Sequence, residues 1–401
     1  MISEKMRSQI GGEMVIRSMF ETGLRMKQQY GAENVFDFSL GNPNVPAPES
    51  VKEAIKDIVD TMPPQAIHSY MPNAGYPAVR KAVADDLNRR FGTSYTEKNV
   101  IMSAGAGCAI NLVMKSILDA GDEVVCLAPY FAEYNGYVRN FYADVKIAGP
   151  KDDGSFMPDP EKLAKAITPD TKAVLVNTPN NPTGAVYTEE VIKEIADVLR
   201  SKEEEYDTVI YLVSDEPYRA IVYDDKFLKD GELPWLPDYY DDTIVTYSYS
   251  KALSLPGERI GQVIIPDLAD GADELIGAVT TANLLTGVVN APSLMQLVIA
   301  RCLDEKSDVE FYKKNGELLY DIVTEAGFEA VKPQGAFYLW LKAPDGDDGK
   351  LVKEAQEKKI LMVPGSAFEG PGYVRLSFCV AHEMIERSRD AFLELGKELF
   401  G

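Results

Sequence analysis

Between residues 99 and 266, short β-branched apolar runs alternate with amphipathic stretches of helical spacing, an order that confines the chain to a small set of folds. The runs at 100–103, 123–127, 172–177, 209–214, 244–248 and 259–265 are apolar almost throughout rather than at every second position. Strands of that kind are covered on both faces, as in a largely parallel sheet flanked by helices. Residues 109–118 and 189–199 carry apolar side chains at helical intervals, and Pro and Gly clusters separate the units. The pattern predicts an α/β unit. Beyond Pro266, longer helical segments (about 270–305 and 308–326) precede short strands at 336–341, 360–363 and 373–378 and a last helix from about His382. That part reads as a second, α+β unit.

Composition removes whole classes of chemistry. The 401 residues include only two histidines, His68 and His382, and four cysteines, at 108, 126, 302 and 379. A Ser-His-Asp or Cys-His mechanism would have to use one of those two histidines, and no H-E-x-x-H or H-x-E pattern is present. The cysteines form no C-x-x-C pair and stand in apolar surroundings, so neither a zinc site nor a disulfide framework is supported. No metal is expected, and a reducing cytoplasm is the expected compartment. Lys+Arg 41 against Asp+Glu 63 gives a net charge of −22, which argues against nucleic acid or an anionic membrane as partner and reads as a solubility feature. The first twenty residues lack the apolar core of a signal peptide. Residues 275–300 carry no charge over a length that could span a bilayer. Thr280, Thr281, Asn283, Thr286, Asn290, Pro292, Ser293 and Gln296 make the stretch too polar for hydrocarbon, and it is expected to be buried in protein or at a subunit contact.

In doubly wound sheets ligands bind beyond the carboxyl ends of the strands, so the residues that end the strands are the place to look. The loop Ser103-Ala104-Gly105-Ala106-Gly107 runs from strand to helix, where exposed N–H groups and small residues suit a phosphate. It is not a dinucleotide fingerprint, because Ile110 stands where Gly or Ala is required, and alone it reads equally as a tight turn. A second strand ends in Ser214-Asp215-Glu216-Pro217-Tyr218. A third ends in Ser248-Tyr249-Ser250-Lys251, followed by Arg259 and Gly261, and a fourth in Asn177 with Asn181-Pro182-Thr183-Gly184 close behind. Lysine is rarely buried without a partner, so one closing a core strand is a candidate nucleophile. Ser248 and the Arg259 fork suit an anion. On one sheet edge these loops supply a phosphate cradle, an amine, a carboxylate, a phenol and an amide, the set required by a phosphorylated pyridine aldehyde. Lys251 would bond the aldehyde, Asp215 would pair with the ring nitrogen and keep it protonated, and Tyr218 and Asn181 would hydrogen-bond the ring hydroxyl. The expected cofactor is pyridoxal 5′-phosphate.

The segments N-P-T-G (181–184), D-E-P-Y (215–218), S-Y-S-K (248–251), G-E-R-I-G (257–261) and Y-V-R-L-S-F (373–378) resemble, in order and approximate spacing, the class I/II aminotransferases of the aspartate aminotransferase superfamily, fold type I. The similarity runs from about residue 38 to the C-terminus. It implies a mostly parallel seven-stranded sheet sandwiched by helices in a large cofactor-binding domain (46–295), and a smaller α+β domain built from both ends (1–45 and 296–401). Gly105, Ala106 and Gly107 match the phosphate loop, joined by Ser248 and Arg259. Phe131, in Pro129-Tyr130-Phe131, matches the aromatic residue that stacks on the pyridine ring. Tyr70, in Y-x-x-x-x-G-Y (70–76), matches the tyrosine that reaches the phosphate of the neighbouring subunit, which implies a homodimer with shared sites. Gly41, in Gly41-Asn42-Pro43, occupies a loop near the substrate carboxylate, and the segment 333–338 resembles one that lines the site. On the strand 373–378, residues 373, 375 and 377 share the face opposite Val374, Leu376 and Phe378, so Arg375 points away from the core and its planar fork suits an α-carboxylate.

The implied activity is ping-pong transfer of an amino group from an L-amino acid to a 2-oxo acid through pyridoxamine phosphate. Lys251, Asp215 and Tyr218 form its catalytic set, and Arg375, Asn181 and Gly41 bind substrate. A C–S β-lyase on the same scaffold and a weakly catalytic cofactor-binding regulatory protein are the rival readings; no appended DNA-binding segment is visible. Aspartate, aromatic, alanine-type and broad donor specificity all stay open.

Overall fold

The apolar runs become the middle of a sheet because each places one set of side chains on either face. The computed structural model describes residues 2–4, 6–7 and 15–401. Residues 1, 5 and 8–14, within both the N-terminal stretch read for a signal peptide and the 1–45 segment, therefore lie outside the described residues. In chain order the strands are β1 (Phe36–Asp37), β2 (Val100–Ser103), β3 (Glu123–Leu127), β4 (Asp144–Ala148), β5 (Thr171–Asn177), β6 (Tyr211–Asp215), β7 (Thr243–Ser248), β8 (Gly261–Ile264), β9 (Ala330–Val331), β10 (Tyr338–Lys342), β11 (Ile360–Leu361), β12 (Val363–Pro364) and β13 (Tyr373–Ser377). Seven of them form one sheet in the order β2-β8-β7-β6-β5-β3-β4. β8 is antiparallel to both its neighbours, and every other pair is parallel. The expected α/β class, with a mostly parallel seven-stranded sheet, is the observed one.

Period-two alternation assigns each strand residue to a layer. Val124 and Cys126 of β3 pack with the helices Ala106–Ile117 and Ala272–Leu285, whereas Val125 and Leu127 pack with Pro160–Ala166 and Glu189–Tyr206 on the opposite face. At the β2 end the second face is covered by Glu49–Thr61, Pro77–Phe91 and Ser293–Ile299. A second core gathers Val374, Leu376 and Phe378 with the helices Val309–Glu325, Asp348–Glu357 and His382–Phe400 over the four-stranded sheet β12-β13-β10-β9. A short parallel pair, β1 with β11, adds the N-terminal segment to this part.

Three expectations are corrected. The helical reading of 270–305 breaks into Ala272–Leu285 and Ser293–Ile299, because Gly287 takes a left-handed conformation and Pro292 cannot continue a helix. The single strand expected at 360–363 splits between two sheets, β11 pairing with β1 and β12 with β13. β4 was not expected at all. It is the edge strand, and its sequence D-V-K-I-A leaves Asp144 and Ile147 exposed, so it lacks the continuous apolar signature of its neighbours. The uncharged stretch is mixed: Val279, Asn283, Gln296, Val298 and Ile299 are buried, but Leu284 and Leu285 are 48% and 66% exposed. Among the described residues no helix is long and apolar enough to cross a membrane.

Candidate active site

Because β8 is antiparallel to both neighbours, β2 runs in the same sense as β3, β5, β6 and β7, and all five end on one edge. A cavity of about 300 Å³ opens there. Gly41, Ala106, Gly107, Phe131, Asn181, Asp215, Tyr218, Ser248, Lys251, Arg259 and Arg375 all line it. Residues spread over more than three hundred positions of sequence thus meet at one place. Tyr70 does not join them. It is 88% exposed on the surface of the protomer.

One end of the cavity is built for an anion. Gly105, with φ of 84°, caps the helix Ala106–Ile117, so the free N–H groups of the first turn face outward. A Cβ on Gly105 would lie 2.7 Å from Arg259 Nη2 in a left-handed conformation that favours glycine, and one on Gly107 would lie 2.7 Å from Tyr137 Oη and displace that ring. The guanidinium of Arg259 is braced by the carbonyls of Pro256 (3.1 Å) and Ala104 (3.2 Å). Gly261 lets β8 pass directly beneath this turn; a side chain there would collide with the Tyr247 carbonyl and lie 2.9 Å from Gly105 Cα.

Asp215 ends β6, and its carboxylate accepts hydrogen bonds from Tyr134 Oη at 2.6 Å and Thr246 Oγ1 at 3.3 Å. Asn177, ending β5, donates to the Asp215 carbonyl at 2.8 Å and accepts from the Asn181 N–H at 2.7 Å, which locks the two strand ends together. Burial pushes the Asp215 pKa up to about 7 although Tyr134 and Thr246 pull it down. No ion pair to Asp215 occurs among the described residues. A buried carboxylate so placed favours a cationic ligand atom.

Lys251 lies in the single turn Tyr249–Ala252 that follows β7. Its side chain is partly open to the cavity, but the amine is enclosed, donating to the Gly41 carbonyl at 2.7 Å. Burial lowers its pKa to about 8, helped by the positive charges of Arg375 and Arg259 and opposed by Cys379. Arg375, on β13, is 2% exposed. Its guanidinium donates to Asn181 Oδ1 at 2.9 Å and to the Ser39 carbonyl at 2.8 Å, and lies 4.6 Å from each of the ring centres of Tyr338 and Phe368. Its Nε is buried without a partner, and among the described residues no carboxylate pairs with it. A buried arginine so oriented is a receptor for an anionic group. Tyr218 shares a 2.7 Å hydrogen bond with the Tyr338 hydroxyl, and Phe131 packs edge-on against Tyr134 with ring centres 5.5 Å apart.

Sequence reasoning missed Tyr134 entirely and did not assign Tyr338 or Asn177 a task. Tyr338 falls in the segment 333–338 that resembles one lining the site, and Asn177 ends a core strand as Asp215 does, so position alone marks both as candidates. Tyr134 follows Phe131 by three residues, yet nothing in that spacing points to a carboxylate 81 positions away.

The family model for aminotransferase class I and II matches residues 33–392. The chain is 34% identical over 372 residues to the probable aspartate/prephenate aminotransferase of Thermus aquaticus, covering 89% of this chain and 90% of that one. It is 30% identical to an aspartate aminotransferase of Pyrococcus horikoshii, covering 92% and 91% of the two chains. Among solved structures, an amino transferase from Eubacterium rectale superposes with a TM-score of 0.95 at 40% identity, covering 100% of this chain and 99% of that one. The aspartate aminotransferase of Thermus thermophilus with maleate gives a TM-score of 0.85 at 29% identity, covering 98% and 100%.

Proposed function

Since this chain belongs to the class I and II aminotransferases and is a transaminase, we propose that pyridoxal 5′-phosphate binds the cavity through Lys251 and that Arg375 receives the substrate α-carboxylate. The overall reaction is ping-pong transfer of an amino group from an L-amino acid to a 2-oxo acid. When bound, the cofactor supplies the electron sink that makes the substrate α-proton removable.

The fit rests on two features: the cradle at Gly105 and Gly107, where a Cβ would press on Arg259 or Tyr137, and the unpartnered Nε of Arg375. The helix N–H groups, Ser248 and Arg259 would hold the phosphate. Asp215, ionised, would hold a proton on the ring nitrogen, and Tyr218 and Asn181 would orient the ring hydroxyl while Phe131 covers the ring face. Arg375, already aimed by Asn181 and Ser39, would fix the substrate so that its Cα–H faces Lys251. An amine titrating near 8 is neutral often enough to accept that proton and acidic enough to return it. The observation that carries this reading is the pairing, on one cavity, of an enclosed lysine amine with a buried arginine that meets no carboxylate among the described residues.

The same reading takes the protein as a homodimer in which Tyr70 reaches the partner subunit's phosphate site, with a large unit at 46–295 and a small one from 1–45 and 296–401. The reading also takes the setting as cytoplasmic and reducing, in keeping with the apolar burial of Cys126, Cys302 and Cys379. Replacement of Lys251 by Ala should abolish turnover together with the visible absorbance of lysine-bound cofactor. Wild-type enzyme given an amino donor without acceptor should stop after one equivalent of keto acid per site; continued release of ammonia would overturn transamination in favour of elimination.

A further inference from the structure

The uncharged stretch 275–300 is more polar than its burial requires, and its amides have a shared destination. Asn283 and Gln296 are both 0% exposed, a placement that is costly unless the amides are hydrogen-bonded. Asn283 Nδ2 donates to the carbonyls of Asn73 (3.0 Å) and Met102 (3.1 Å). Asn290 Nδ2 donates to the carbonyls of Met71 (3.1 Å) and Pro72 (3.0 Å). Gln296 Oε1 accepts from the Tyr76 N–H at 3.0 Å, and its Nε2 donates to the Ala291 carbonyl at 2.9 Å. In return, Asn73 Nδ2 donates to the carbonyl of Val289 at 3.0 Å. Residues 71–76 form an irregular loop whose backbone groups have no strand or helix ladder to satisfy them. Three amides from one segment serve that purpose.

The loop so held is also locked to the anion-binding end of the cavity. Met102 N–H donates to the Ala74 carbonyl at 2.9 Å, and Met102 immediately precedes Ser103, where the phosphate turn begins. Gly75 has φ of 104°, and a Cβ there would lie 2.5 Å from Met102 Cγ and 2.7 Å from Gln296 Oε1, so loop, strand and amide interlock without slack. Tyr70 stands at the start of this loop and is 88% exposed, so packing within the protomer does not fix its reach. Only the backbone that carries it can.

We infer that Asn283, Asn290 and Gln296 are positioning residues that hold the Tyr70 loop at a fixed offset from the phosphate turn, so that Tyr70 is presented ready-ordered to the partner subunit's site. The inference rests on the reading above that Tyr70 crosses to that site. Ordering the arm in advance spares the cost of immobilising it when the cofactor binds.

The test is titration of the full-length apoprotein with pyridoxal 5′-phosphate, alongside sedimentation velocity to record the dimer. Tyr70→Phe should weaken cofactor binding about tenfold or more, the loss of a hydrogen bond to a charged oxygen. Asn290→Ala, at a partly exposed site, should weaken it about threefold to tenfold through the same hydrogen bond. The double variant should then bind no more weakly than Tyr70→Phe alone, because an amide that acts through Tyr70 has nothing left to position. Asn73→Ala, which removes the return bond to Val289, should repeat the pattern. Wild-type affinity in Tyr70→Phe would overturn the reading of Tyr70 itself. Weakened binding in Tyr70→Phe with either unchanged binding in Asn290→Ala or fully additive losses in the double variant would overturn the positioning role and leave that reading standing.

Discussion

Asp215 is held in the apoprotein at an energetic disadvantage. Burial raises its pKa from an ordinary 3.8 to about 7, so between roughly pH 4 and 7 the folded state binds a proton that the unfolded state does not. Stability of the apoprotein contributed by this group therefore falls as pH rises through that window and stays penalised above it. Asp215→Asn should melt higher than wild type as apoprotein at pH 8, the two converging near pH 4, while catalysis is lost; calorimetry across pH reads this directly, and a lower melting point at pH 8 would contradict it. Tyr134 works in the opposite sense, since its 2.6 Å bond favours the ionised carboxylate. Tyr134→Phe should raise the Asp215 pKa, shift the acidic limb of the pH–kcat profile to higher pH and lower kcat by about tenfold or more, with KM changed far less. Asp215 is legible in the sequence only in company: a polar turn after an apolar strand is ordinarily a solvated one, and Asp215 stands out because Lys251, Asn181 and the phosphate turn end neighbouring strands. Tyr134 is not legible, because its partner is 81 positions away and a tyrosine near a strand end is commonplace.

At the scale of elements, strand burial decided what could be read. β2, β3, β5, β6 and β7 are covered on both faces and announced themselves as apolar runs, which also located the loops at their ends. β4 has one strand neighbour and a half-exposed pattern, so its existence depends on pairing with β3 rather than on its own composition. The split of 360–363 depends likewise on which partner each half meets. Such choices are made by tertiary contact and leave no local periodicity. The junction of β8 with the phosphate turn is a contact of that kind. Gly261→Ala would press a methyl group against the Tyr247 carbonyl and Gly105, and the strand cannot move without dragging the turn. The expected result is a stability loss of about 1–3 kcal/mol, as for other overpacked sites, with weaker cofactor binding as well. Urea midpoints and cofactor titration measure the two separately; an unchanged affinity at reduced stability would show that the turn yields independently of β8.

At the scale of the molecule, the −22 charge and the exposed apolar face pull in different directions. Net charge favours keeping copies apart, and screening by salt limits that repulsion to about 10 Å or less near physiological ionic strength. Leu284 and Leu285 close the helix Ala272–Leu285 within the uncharged stretch, just before the turn whose Val289 and Asn290 grip the Tyr70 loop. An uncharged apolar surface beside the Tyr70 loop suits the proposed association of two acidic chains, because no like charges need be brought together there. The absence of charge is visible in the sequence, but not that Leu284 and Leu285 are exposed while Val279, Val298 and Ile299 are buried, since the two sets are equally apolar. If the proposed homodimer forms over this surface, Leu285→Glu should introduce a charge into the contact, shift the protein from dimer to monomer in sedimentation velocity, and weaken cofactor binding in step, because each site would lose the Tyr70 that the proposal draws from the other subunit. High salt should restore part of the dimer by screening the introduced pair. A variant that stays dimeric at low salt and micromolar concentration would place the subunit contact elsewhere, and one that turns monomeric while binding cofactor at wild-type affinity would show that the site is complete within a single chain.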